Sequence, residues 1–220
     1  MKIRTATVAA ATLLAVPTFA ATAAAEDTYS SYAELAANET EGVDYQRSTR
    51  SGDTDVAHIA IHGGGIERPT TELADHAAEL GGHAFATFEG IKPSGNSVLH
   101  ITSTNFDEPR TVEVVENSDY TISWHGAAGD EAKTYVGGLD TELRDAVRDE
   151  LREEGFDVPS EVPDHLAGEN PDNIANRNDR GKGVQLELTR GQRDLLMPNG
   201  TPVEAMDDYL AAVERAVSNR

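Results

Sequence analysis

The 220-residue sequence has no cysteine. That absence removes disulfide staples and thiolate chemistry together, and any bound metal must be held by histidine, aspartate or glutamate. Positive charge is also scarce. Only 18 lysines and arginines stand against 39 aspartates and glutamates, for a formal charge of −21. Such a balance excludes nucleic acid and an anionic membrane surface as natural partners. The acidic residues are scattered rather than gathered in a tail, which suits a secreted protein working at high salt, where repulsion is screened. Plain solubility is the alternative. Long apolar runs are missing too: beyond the first 25 residues no segment could cross a bilayer.

The N-terminus reads differently from the rest. Lys2 and Arg4 precede an apolar stretch broken by Pro17, and Ala23 and Ala25 form a small-residue cleavage site ahead of Glu26. This is the pattern of a removable signal peptide over 1–25. A membrane anchor is the alternative, but the apolar core falls short of the roughly 20 residues a spanning helix needs. A secreted mature chain of residues 26–220 is therefore expected. It is long enough to form one domain with its own core, without staples, and a monomer is expected. Because the leader carries two of the positive charges, the mature chain is more acidic still.

Strand and helix patterns alternate along that chain. VAHIAIH (56–62), AFATFEG (84–90), VLHITS (98–103), YTISWHG (120–126), KTYVGG (133–138) and VQLELT (184–189) read as strands. Between them, the ELADHAAEL segment reads as a helix that Thr70 or Thr71 can cap and Gly81–Gly82 stops. DEPRTVEVVEN fits helix or strand, with Pro109 and the acidic start favouring helix. LDTELRDAVRDELREEG is an amphipathic helix with many i,i+4 acid–base pairs. Residues 26–50 read as a short helix around Tyr32–Ala37 and a lead-in, 159–182 as loop, and Thr201–Ser218 as a closing helix. The class is α/β: a mostly parallel or mixed sheet covered by helices on both faces, in a single domain. In such sheets ligands bind beyond the carboxyl ends of the strands, and His62 and His125 both stand at strand ends.

His62 is followed by Gly63, Gly64 and Gly65, and then by Glu67. Without Cβ atoms the loop can fold back and turn His62 and Glu67 toward one point, and His125 could supply a third ligand. Zinc takes such N and O donors and keeps one position open when it is catalytic. Each residue has a plainer reading, as a capping histidine or a solvated carboxylate with Arg68 beside it. A P-loop is excluded because no Lys-Ser/Thr follows the glycines. His58 shares a strand face with His62 by alternation but lies about 13 Å back; His58, His76, His83, His100 and His165 are read as structural, His100 as a core histidine within a strand. Glu187 shares one strand face with Gln185 and Thr189. Inside a doubly covered sheet a carboxylate is costly unless paired or functional, so Glu187 is a candidate general base. The alternative is an edge strand with a solvated face.

At these residues the sequence resembles a known family. HGGGIE (62–67), SWHG (123–126), ANRN (175–178) and GVQLELTRGQR (183–193), in that order over roughly 28–217, are similar to the poly-γ-glutamate hydrolase family of phage and bacterial enzymes. The resemblance implies a zinc-carboxypeptidase-like fold, zinc held by His62, Glu67 and His125, and Glu187 as general base. The chain departs from the carboxypeptidases in its His-x4-Glu spacing, where they have His-x2-Glu, and it lacks their long insertions, so their substrates do not transfer. For a γ-linked glutamate polymer each residue offers a free α-carboxylate, which guanidinium groups clamp well. Arg177 and Arg193 lie in the matching motifs and are candidates for substrate binding; surface salt bridges are the alternative for both.

The expected function is thus secreted zinc-dependent hydrolysis of γ-glutamyl amide bonds. A zinc peptidase or cell-wall amidase would keep the chemistry and change the substrate. A non-catalytic metal-binding module would need a fourth protein ligand to close its site, and only three candidates stand out. One conflict remains in the sequence: so acidic a chain should repel a polyanion.

Overall fold

The computed structural model describes residues 27–220, and the signal peptide read over 1–25 lies outside them. Among the described residues the chain forms, in order, α1 (Tyr32–Asn38), β1 (Tyr45–Arg50), β2 (Val56–Gly64), α2 (Thr70–Gly81), β3 (Ala84–Gly90), α3 (Pro109–Glu116), β4 (Tyr120–Ala127), β5 (Thr134–Gly137), α4 (Thr141–Glu153), β6 (Val184–Thr189), α5 (Arg190–Leu196) and α6 (Glu204–Ser218). No helix among them is long and apolar enough to cross a membrane.

The strands make one mixed sheet in the order β1-β3-β2-β4-β6-β5. The four central strands run parallel, and the two edge strands are antiparallel to their neighbours. Helices α2, α4 and α6 cover one face. Their apolar stripes recur at helical spacing, Leu143, Val147 and Leu151 on α4 and Met206, Tyr209, Leu210, Val213 and Val217 on α6, and they pack on Val56, Ile122, Trp124, Leu186 and Leu188 of the sheet. Each such large side chain contributes roughly 1.5–3 kcal/mol by leaving water. Leu35 of α1 and Val115 of α3 close the other face with Ile59, Ile61, Phe88, Leu99, Ile101 and Phe106. Both faces are covered, so the central strands tolerate few polar side chains without a partner.

Several local expectations change. Tyr45–Arg50, read as lead-in, is the edge strand β1, and Arg190–Leu196, to which the sequence pattern assigns no element, is a short helix. Asn96–Leu99 forms a 3₁₀ turn, so VLHITS is no strand. Backbone donors that a strand would pair are met otherwise: His100 N donates to the Ser97 carbonyl within the 3₁₀ turn, and Thr102 N donates to Oδ2 of Asp27, far back in the chain. Neither threonine caps α2. The Thr70 hydroxyl reaches the His62 carbonyl at 3.4 Å, and Thr71 Oγ1 accepts from Gly64 N at 3.3 Å, fastening the helix start to the end of β2.

A register shift lies in that strand end. Ala60 pairs with Thr87 and Gly63 with Glu89, so Ile61 and His62 together oppose Phe88 alone. Before this bulge, alternation is regular, and His58 points to the helical layer of α2 and α6. Trp124 Nε1 donates to His58 Nδ1 at 3.0 Å, and His58 Nε2 meets His83 Nδ1 at 3.0 Å. After it, His62 turns to the opposite face. His58 and His62 therefore do not share a face, because a bulge re-aims the side chain that follows it.

His58 is fully buried, and burial with His83 alongside pushes its pKa well below the usual histidine value. The unfolded chain, with histidine near 6.5, then binds more protons than the native state once the pH falls below about 6.5. Stability is present above that pH and is lost as the pH drops toward the folded pKa. One proton accounts for a slope of up to about 1.4 kcal/mol per pH unit. Urea unfolding at pH 7.5 and 5.5 should show this loss, and His58→Gln should reduce it, the remainder coming from other buried histidines such as His125.

Candidate metal centre and active site

The carboxyl ends of β2, β4 and β6 bring the site together. The bulge delivers His62, and the turn after it is closed by Glu67 N donating to the His62 carbonyl at 2.9 Å. Only glycine fits the first turn position: a Cβ on Gly63 would lie 2.1 Å from Thr71 Oγ1 and 2.7 Å from Thr87 Oγ1. From β4, Gly126 N donates to Glu67 Oε2 at 2.8 Å, tying the loop to the next strand. Glu187 stands beside His125 in register, one strand over.

Three ligand-type atoms converge. His62 Nδ1 lies 3.2 Å from Glu67 Oε2 and 3.2 Å from His125 Nδ1, and His125 Nδ1 lies 3.7 Å from Glu67 Oε2. A tetrahedral zinc with bonds of about 2.0–2.2 Å sets its ligand atoms roughly 3.3–3.6 Å apart, so this triangle could hold one. The outer nitrogens are engaged elsewhere. His62 Nε2 donates to the Ile101 carbonyl at 2.9 Å, and His125 Nε2 meets Ser123 Oγ at 2.8 Å. The carbonyl contact leaves the His62 Nδ1 lone pair facing inward, and Ser123, which can accept from His125 Nε2, allows His125 the same arrangement, the one metal-ligating histidines need.

Electrostatics prepares the same donors. Burial would raise the Glu67 carboxyl, but His62, His125 and the Gly126 N–H outweigh it and hold the pKa down at about 2. His125 is pushed down to about 3 by burial and by the neighbouring His62. It is therefore a neutral imidazole at pH 7, the form that donates a lone pair. His62 moves the other way: burial disfavours its charge, but the Glu67 carboxylate prevails and raises its pKa.

Glu187 is 7% exposed on an interior strand rather than a solvated edge. Burial, then repulsion from Glu67, pushes its carboxyl well above the usual range, against the opposing pull of Gln185 and Arg193. Gln185 Nε2 donates to Glu187 Oε1 at 2.9 Å, and Asn173 Nδ2 donates to Gln185 Oε1 at 2.8 Å. This chain fixes which way the Gln185 amide faces and orients the carboxylate. Gln185 was on the same face by alternation and could have been found that way. Arg193, from the first turns of α5, lies over Gly126, where a Cβ would meet its Cζ at 2.7 Å and Glu67 Cβ at 2.9 Å.

Arg177 is not brought to this group. Its guanidinium donates to the Phe106 carbonyl at 3.0 Å and lies 3.9 Å from Glu116, against α3. The motif that carries it serves the loop instead, with Asn176 and Asn178 bonding backbone around Gly183 and Lys182. His76 is exposed on α2 and bonds the Glu72 carbonyl, and His165 is exposed in a 3₁₀ turn. His100 is the correction among the histidines. It stacks on His62 with ring centroids 3.9 Å apart, its Nε2 lies 4.0 Å from Glu67 Oε1, and its Nδ1 bonds Asp27 Oδ1 at 2.6 Å. No spacing rule would link Asp27 to a residue so far along the chain.

The profile of a family described as Poly-gamma-glutamate hydrolase matches residues 29–212. Among proteins of Bacillus subtilis (strain 168), the SPbeta prophage-derived UPF0714 protein YoqZ is 39% identical over 202 residues, covering 88% of this chain and 73% of that protein. UPF0714 protein YndL is 41% identical over 173 residues, covering 78% of this chain and 68% of that one. Two solved structures are also similar, each at 37% identity over 88% of this chain and 98% of the other. A bacteriophage poly-gamma-glutamate hydrolase superposes with a TM-score of 0.85, and a structure described as YNDL-apo (zinc-free) with 0.83.

The crowding at Gly126 yields a direct expectation. Gly126→Ala forces Arg193 and Glu67 apart from the strand and should destabilise the protein by about 1–3 kcal/mol through overpacking. Denaturant unfolding of the two proteins measures it, and an unchanged midpoint would contradict the close approach.

Proposed function

The chain belongs to the poly-gamma-glutamate hydrolase family, and from that premise we propose that it is a secreted, zinc-dependent hydrolase of the γ-glutamyl amide bonds in poly-γ-glutamate. The observation that carries the reading is the triangle of His62 Nδ1, Glu67 Oε2 and His125 Nδ1 beside the buried carboxylate of Glu187. The relative described as zinc-free supports zinc as the metal. Secretion is supported by the leader pattern over 1–25.

His62, Glu67 and His125 would hold the metal, leaving a position open, since three protein ligands are what a catalytic site offers. When bound there, zinc supplies a Lewis acid that favours ionised water and negative charge on a carbonyl oxygen. Glu187 takes the proton from the attacking water. Its raised pKa makes it a stronger base than a free carboxylate, and the proton it gains passes to the nitrogen of the departing amine. Gln185 and Asn173 keep its oxygen aimed while this happens. Arg193 places a fixed positive charge next to the reacting carbonyl, available to the oxyanion or to a substrate carboxylate.

Incubating the mature protein with poly-γ-glutamate tests this. Polymer should shorten with zinc present, cease to shorten with a chelator, and shorten again on zinc return, while α-linked polyglutamate survives. Cleavage insensitive to chelation would overturn the metal reading, and equal cleavage of both linkages the substrate reading. His125→Ala should drop zinc content from about one ion per chain to near none. Glu187→Gln should keep the zinc and lose at least ~10²-fold in kcat.

A further inference from the structure

Of the 18 lysines and arginines, Lys2 and Arg4 precede the described residues. Every described one except two lies within 4.0 Å of a carboxylate oxygen. With acids in such excess, a cation finds a partner almost wherever it lies. The exceptions, Arg68 and Arg193, are neighbours: Arg193 Nη1 donates to the Arg68 carbonyl at 2.5 Å. They flank the metal centre, Arg68 following Glu67 in the chain and Arg193 lying over Gly126.

Both have unused donors. Arg193 spends its Nη2 on the Ala127 carbonyl at 3.2 Å, while its Nε is buried with no partner. Arg68 is exposed and its guanidinium has no hydrogen bond or ion pair among the described residues. Glu67 does not engage it. The Glu67 oxygens face His62, His125, His100 and the Gly126 N–H instead. The plain reading of Arg68 as a partner of the adjacent carboxylate therefore fails.

We propose that Arg68, together with Arg193, forms a clamp for the α-carboxylates of consecutive γ-linked glutamate residues. The proposal rests on the reading of the site as a γ-glutamyl hydrolase and names how that site selects its substrate. In a γ-linked chain the free carboxylate sits on a backbone carbon, and on the amine side that carbon is bonded to the scissile nitrogen. A planar fork next to the reacting bond meets it directly. In an α-linked chain the free carboxylate hangs at the end of a flexible side chain and costs more entropy to hold. The clamp also answers the charge conflict. Nearly all basic side chains are neutralised by acidic neighbours, so the net repulsion is long-ranged and is screened by salt, whereas two unpaired arginines leave local positive charge at the mouth.

Calorimetry on zinc-loaded Glu187→Gln protein reads binding without turnover. The probes are a γ-linked glutamate oligomer and the same oligomer with its α-carboxylates converted to amides. Adding Arg68→Gln should weaken the acid form by at least about 10-fold, the effect of losing a charged hydrogen bond, and leave the amide form unchanged. Arg68→Lys should restore part of the affinity. In the otherwise unmodified enzyme, Arg68→Gln should raise KM for the acid oligomer far more than it lowers kcat. Undiminished binding of the acid form to the Arg68→Gln protein overturns the clamp. Failure of the unmodified zinc enzyme to cleave an oligomer that it binds through Arg68 instead contradicts the hydrolase reading.

Discussion

Ile61 and His62 share one place opposite Phe88, and the centre depends on that extra residue. A parallel strand covered on both faces is the stiffest backbone a small domain offers, which makes its end a good platform for a ligand. Regular alternation would have sent His62 into the layer beneath α2 and α6, beside His58. The bulge turns it over the sheet edge to the face where His125 already points. Thr70, Thr71 and the Glu67 amide then pin the displaced backbone from the helix side, so the departure from regular strand is held by bonds and not by packing alone.

The same face carries a run of buried polar side chains: Ser123, His125, Gln185 and Glu187 lie in register on β4 and β6. Each is bonded to another polar group. Ser123 serves His125, and Asn173 serves Gln185, which serves Glu187. Buried polar groups are tolerated on those terms. The network also decides ionisation by position. Glu67, ringed by histidines and a backbone N–H, remains an anion far into acid, whereas Glu187, two strands over on β6 and short of donors, holds a proton more readily. Two glutamates of one cluster are thereby given opposite tendencies to hold a proton.

The sequence made legible what short-range pattern encodes. Strand-end histidines, a glycine loop and a carboxylate on an alternating strand singled out His62, Glu67, His125 and Glu187, and helical spacing marked α4 and α6. The bulge left no mark, because an inserted residue changes register without changing composition, and so His58 and His62 were read as sharing a face. YQRSTR, with a single buried tyrosine, gave β1 too little apolar signal to read. The β-branched residues of VLHITS suggested a strand, yet no neighbour offers it a ladder, and tertiary context prevailed over propensity. Arg177 was drawn in by its motif, but Phe106 and Glu116 occupy it. His100 and Asp27 meet across a distance no local rule spans.

That last pairing bears on how the chain is handled. Asp27 lies ahead of the first helix, and its carboxylate holds both the His100 ring and the Thr102 amide. The segment around His100 is otherwise a loop, and His62 relies on it twice, for the Ile101 carbonyl and for the stacked ring. A chain trimmed past Asp27, by an expression boundary or by a protease, would keep every residue of the sheet. It would nonetheless release the loop that backs one histidine, so Asp27 belongs to the framework of the site although it precedes the first helix.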